Sequence, residues 1–73
     1  MDKEKILKKF GKNVKIERIK KDYSQEDFAE ILGVSQNYIA RIETGKQNMS
    51  LIKIAELALA LNVEIEDLLK FKE

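Results

Sequence analysis

Apolar residues recur along this chain at three- and four-residue intervals, the spacing that gathers them on one face of a helix. The first stripe, Ile6, Leu7, Phe10 and Val14, predicts a helix from about Lys3 to Lys21. It breaks at position 17, where Glu17 stands in place of the apolar residue the stripe needs, with Ile16 and Ile19 on either side. Either the helix rotates slightly there, or Ile16 and Ile19 cover a different surface around Tyr23. A second helix opens at Ser24, a natural N-cap, with Asp27 completing a near capping box. Phe28, Ala29, Ile31 and Leu32 give it an apolar face, and Gly33 stops it, since glycine takes the left-handed exit conformation without steric cost. Val34 fills the corner and Ser35 caps a third helix, anchored inward by Ile39 and Ile42 and ended by Gly45. After Ser50, another N-cap, Leu51, Ile54, Ala55, Leu57, Ala58 and Leu61 make a fourth helix apolar over much of its circumference, as a central helix requires. Asn62 suits its left-handed exit. A last helix is expected from about Glu64 to Phe71, with Glu64, Glu66 and Asp67 at the positive end of its dipole and Ile65 and Leu68 facing inward.

The segment from Ser24 to Asn48 is the most informative. It reads as two short helices joined by a tight turn, a helix-turn-helix spanning about 24–44, with a polar face on its second helix. That face carries Gln36, Asn37 and Arg41, whose side chains can make bidentate hydrogen bonds to base edges in a DNA major groove. Gln36 and Asn37 each donate and accept, which suits adenine; polar residues at a helix start also often touch only water. Arg41 can fork to guanine, clamp a phosphate, or pair with a local acid.

Composition narrows the classes. Seventy-three residues make one small domain near the lower limit for a single unstapled core. Without cysteine there are neither disulfides nor thiolate metal sites, and without histidine the usual general base and the commonest metal ligand are missing. No cofactor or metal is expected. Absence of proline favours nearly continuous helix. No apolar run is long enough to cross a bilayer and nothing resembles a secretory signal, so a cytoplasmic location is expected. The formal charge of +1 is uneven: residues 1 to 22 hold nine Lys or Arg against four Asp or Glu, while residues 23 to 48 and 49 to 73 each net −2. The lysine-rich first helix is either ordinary solvated surface or a flank that approaches phosphates.

From about Phe10 to Phe71 the chain resembles the phage repressor, Cro and XRE-like family of transcriptional regulators. The resemblance rests on SQEDFAEILGVS, on YIARIETGKQN, and on the LIKIAELALALNV helix with its EIEDLL tail. It implies an all-α, compact five-helix bundle in which the second helix braces the DNA backbone and the third lies in the major groove. Gln25, at the start of the second helix, is then placed against a phosphate, where helix amides and dipole converge. Tyr38 either lies along the sugar-phosphate backbone or packs beside the first helix, and Ala40 permits close approach or touches a thymine methyl. Lys46, Gln47 and Asn48 would run beside the backbone, although a turn role alone suffices for Asn48. Arg18 and Glu43 match positions that form a partly buried, structural ion pair.

The family generally works as symmetric dimers on palindromic half-sites. An interface is expected in the region of about 50–71, where Ile52, Leu59, Val63, Leu69 and Phe71 exceed what a small core obviously needs, although Ile52 and Leu59 could equally be core. GKQNMSL, with Met49 where proline is frequent in the wider family, resembles the controller proteins of restriction-modification systems; phage repressors and Cro-like proteins are similarly short. The expected function is a sequence-specific regulator binding a double-stranded operator as a homodimer. The alternative is a protein-interaction module, such as an antitoxin or repressor partner, retaining the fold. An enzyme is disfavoured, since a glycine-rich phosphate loop and metal-ligand spacing are lacking along with His and Cys.

Overall fold

Four helix starts are fixed by short polar side chains that relieve unpaired backbone amides. Asp2 accepts from the Glu4 amide at 2.9 Å, Ser24 from Asp27 at 2.9 Å, Ser35 from Tyr38 at 3.1 Å and Ser50 from Lys53 at 3.1 Å. The computed structural model describes residues 2–71, and these caps open α1 (Lys3–Lys20), α2 (Gln25–Leu32), α3 (Gln36–Glu43) and α4 (Leu51–Leu61). A fifth, single-turn helix, α5 (Ile65–Leu68), follows. There is no strand among the described residues; Met1, Lys72 and Glu73, the ends of the expected 1–73 domain, lie outside them.

The capping box expected at α2 is complete, the Ser24 amide donating back to Asp27 Oδ2 at 3.0 Å. That backbone hydrogen bond, with the Ser24 hydroxyl second, holds the Asp27 carboxyl below the ordinary carboxylate range. The Glu64 amide does the same for Asp67 at the start of α5, donating at 2.9 Å. Gly33 and Asn62 end α2 and α4 in the left-handed region, at φ 70° and 57°.

The core is drawn from all five helices: Phe10 and Val14 of α1, Phe28 and Ala29 of α2, Ile39 and Ile42 of α3, Leu57, Ala58 and Leu61 of α4, and Leu68 of α5. Burying each of the larger of these side chains contributes about 1.5–3 kcal/mol. α3 packs on both α1 and α2, while α4 packs on α1, α2 and α5. The break in the first helix's stripe is explained by Arg18, which takes the next inward position in place of an apolar residue. Ile16 and Ile19 remain on the outside, and the Tyr23 ring stacks on Phe28 with centroids 6.3 Å apart.

Three expected inward positions point out instead: Ile31 on α2, Leu51 at the start of α4, and Ile65 at the start of α5. Their exposures are 51 %, 67 % and 36 %. The last helix is also shorter than Glu64–Phe71. Its end is tightened by the Leu69 amide bonding to the Glu66 carbonyl. The Asn13 side chain of α1 then takes the carbonyls of Leu68 and Lys70, both at 3.0 Å. Phe71 folds back toward Ile6, Leu7 and Phe10 and packs against the core.

Candidate nucleic-acid interface

The attitude of α3 is set by backbone contact and one buried ion pair. At Gly11, in mid-α1, a Cβ atom would lie 2.2 Å from the Ile42 carbonyl oxygen and 2.8 Å from that of Glu43. At Gly45, just past α3, a Cβ would lie 2.8 Å from the Lys8 backbone, and φ is +76°. Only glycine permits this approach, so the C-terminal end of α3 rests directly on the first half of α1. Nothing in the hydrophobic pattern marks Gly11, which looks like a helix-weakening accident until its neighbour is seen.

Arg18 and Glu43 form a two-pronged ion pair, Nε to Oε2 at 2.7 Å and Nη2 to Oε1 at 3.1 Å, in residues only 7 % and 9 % exposed. Arg18 Nη1 also donates to the Tyr23 carbonyl. Gln25 Nε2 completes the network by donating to Glu43 Oε1 at 3.1 Å. A buried charge pair is tolerable when its remaining donors and acceptors are met, as here. The network joins α1, the start of α2 and the end of α3. It also fixes the amide of Gln25, at the very residue where a phosphate contact is expected; the sequence carried no signal for this contact across 18 positions.

The other face of α3 is open. Gln36, Asn37 and Arg41 are all exposed, while Ile39, Ile42 and Glu43 are buried behind them. Asn37 and Arg41 stand four residues apart on one face. Among the described residues Arg41 has no acidic partner: Nε donates to Gln47 Oε1 at 3.1 Å and Nη2 to the Lys46 carbonyl at 3.0 Å, so it is tied to the turn after its own helix. Lys46 and Asn48 are exposed and Gln47 is half-buried. Tyr38 is half-buried beside Leu32, Val34, Met49 and Leu57, on the α2–α4 side.

The residues expected at a dimer interface divide. Ile52 and Leu59, two turns apart on one face of α4, are 68 % and 82 % exposed, which removes the reading of them as core. Leu69 is 39 % exposed, whereas Val63 and Phe71 are partly buried and packed against the core. Leu51, not expected there, adds a further exposed apolar side chain to α4. Among the described residues no group of His, Cys, Asp and Glu is arranged to hold a metal ion, and no helix is long and apolar enough to cross a membrane.

A short helix buried on one side against two others, with amide and guanidinium groups on its open side, defines a helix-turn-helix DNA-binding domain. The chain belongs to the helix-turn-helix family HTH_3, whose sequence profile matches residues 14–68. It is 33% identical over 61 residues to the control protein C.MunI of a Mycoplasma species, an alignment covering 82% of each chain. It is 40% identical over 63 residues to the control protein C.BamHI of Bacillus amyloliquefaciens, covering 85% of this chain and 78% of that protein. Its fold matches the crystal structure of the restriction-modification controller protein C.AhdI from Aeromonas hydrophila with a TM-score of 0.79 at 39% identity, over 85% of this chain and 94% of the other. The family is one of DNA-binding transcriptional regulators and controller proteins, not of enzymes.

Proposed function

We propose that this chain is a cytoplasmic, sequence-specific regulator that binds a palindromic double-stranded operator as a homodimer, reading the major groove with α3. The observation that carries this reading is the exposed trio Gln36, Asn37 and Arg41 on a helix whose opposite face is locked to α1 and α2. Gln36 and Asn37 occupy the first turn, the part that goes deepest into the groove in this docking mode. Gln25, with Lys46 and Asn48 in the turn after α3, is assigned to the flanking phosphates, which add affinity without reading sequence. Tyr38 contributes at most its hydroxyl edge there, since its ring is committed to the α4 side.

One recognition helix spans only a few base pairs, so a second copy is needed for a site of useful length. Exposed Ile52 and Leu59 on one face of α4 supply apolar surface for it, and exposed Leu69 with partly buried Val63 and Phe71 are assigned to the same interface. The named relatives are control proteins, and the same role in a restriction-modification system is the specific assignment for this chain.

The test is selection of bound duplexes from a random pool, beside sedimentation of wild type and Leu59→Lys. The expected result is an enriched palindrome from wild type, and a monomeric Leu59→Lys variant that keeps its fold and binds the palindrome far more weakly. A folded wild-type protein that enriches nothing at low salt would overturn the proposal and favour a module that binds another protein.

A further inference from the structure

Arg41 and the turn that follows α3 make a unit whose geometry decides which edge of the guanidinium is free. The hydrogens of Nε and Nη2 that point the same way form one edge of this planar group, and the outer hydrogens of Nη1 and Nη2 form another. The first edge is occupied: Gln47 Oε1 accepts from Nε at 3.1 Å and the Lys46 carbonyl from Nη2 at 3.0 Å. Among the described residues the second edge has no partner, and Arg41 is exposed.

The turn is itself held in place. The Lys46 amide donates to the Arg41 carbonyl at 2.8 Å, and the Thr44 hydroxyl donates to the Ala40 carbonyl at 2.8 Å. Gln47 Nε2 donates to the Asn48 carbonyl at 3.3 Å. The orientation of the Gln47 amide is therefore determined from both ends. Its oxygen faces a guanidinium, which can only donate, and its nitrogen faces a carbonyl, which can only accept. Half-buried Gln47 is thus a fixed acceptor rather than a side chain free to find a phosphate.

Resting on the DNA-reading function above, we infer that Gln47 is a specificity-determining positioning residue: with the Lys46 carbonyl it holds Arg41 so that its Nη1–Nη2 edge meets O6 and N7 of a guanine in the operator. A freely rotating arginine can serve a phosphate or any acceptor in the groove. One held along its inner edge loses less side-chain freedom on binding and offers a two-pronged donor in a single orientation, matched to guanine. The assignment moves Gln47 from independent backbone contact to support of a base contact.

The test compares duplexes selected by wild type, Arg41→Ala, Gln47→Ala and Gln47→Glu, with affinity for the winning site measured across a salt series. Arg41→Ala identifies the guanine position by abolishing preference there. Gln47→Ala is expected to lower discrimination at that same position by about tenfold, leaving the other positions and the salt slope unchanged. Gln47→Glu, which keeps an acceptor for Nε, is expected to retain the guanine preference while its negative charge weakens binding to all duplexes alike. Uniform weakening by Gln47→Ala across sequences, with the guanine preference kept, would mark Gln47 as a phosphate contact and overturn the inference; the salt slope stays the same in either case, because a neutral amide displaces no counterion. An unchanged preference at the guanine position in Gln47→Ala overturns it as well. A wild type that enriches no sequence overturns the DNA-reading function and this inference with it, so the two failures are told apart.

Discussion

Replacing Gly11 by alanine sets two effects of opposite sign against each other, and the structure says which prevails. In an isolated helix the change is favourable by about 0.5–1 kcal/mol, because glycine loses more backbone freedom on folding. Here the added methyl would sit 2.2 Å from the Ile42 carbonyl oxygen and within 2.9 Å of Glu43 backbone atoms. Ordinary contact begins at 3.4 Å, so the two backbones must part by about 1 Å. Neither is a flexible side chain that can swing away. The same contact lies next to Glu43 of the buried ion pair and Ile42 of the core, so parting disturbs both. Overpacking of this kind costs about 1–3 kcal/mol and rises when backbone must shift, which leaves a net loss of about 1–2 kcal/mol or more. For a domain of this size that lowers Tm by about 4–16 °C. Thermal and urea unfolding of wild type, Gly11→Ala and the exposed neighbour Lys12→Ala check it, the last expected to stay within about 0.5 kcal/mol of wild type. A Gly11→Ala protein melting at or above wild type would refute the close approach of α1 and α3.

Two further outcomes concern the polar network and the caps. Arg18→Met alone strands the Glu43 carboxylate in the interior and is expected to cost about 3–5 kcal/mol, while Arg18→Met with Glu43→Leu recovers much of it; equal instability of single and double variants in urea would argue against a buried pair. Asp27 is held below the ordinary carboxylate value of 3.8 in the folded chain, so its contribution to stability is present above that value and is lost as pH falls through the lowered one. The difference in unfolding midpoint between wild type and Asp27→Ala is therefore expected to be constant from neutral pH to about 5 and to shrink below about 4, and a difference that persists unchanged in acid counts against the capping carboxylate.

What was legible in the sequence follows from how local each signal is. Ser24, Ser35 and Ser50 act on amides within three residues, and Gly33 and Asn62 act on their own dihedral angles, so short stretches of sequence reveal the starts and stops of the helices. The inward positions of Phe10, Val14, Phe28, Ile39, Ile42 and Leu61 were legible from helical spacing because each lies mid-face. Ile31, Leu51 and Ile65 share that spacing but are exposed, since spacing does not report how far a neighbouring helix extends. Spacing also left an apparent gap at Glu17, because the interior position one residue later is filled by a charge whose partner lies 25 residues away. Family resemblance, not periodicity, pointed to Arg18 and Glu43. Gln25 bonding to Glu43, Asn13 closing α5, and Gln47 bracing Arg41 depend on three-dimensional proximity alone, and no local pattern announces them. The open face of α3 was readable as a set of residue types, but the tie between Arg41 and its own turn was not.

If α3 reads sequence, the ratio of affinity for the selected operator to affinity for a scrambled duplex, at fixed salt, measures that reading. Wild type is expected to show a ratio of about 10³ or more, and Gln36→Ala/Asn37→Ala to lose most of it while melting at the wild-type temperature and keeping its non-specific binding. A double variant with the wild-type ratio would contradict readout by α3.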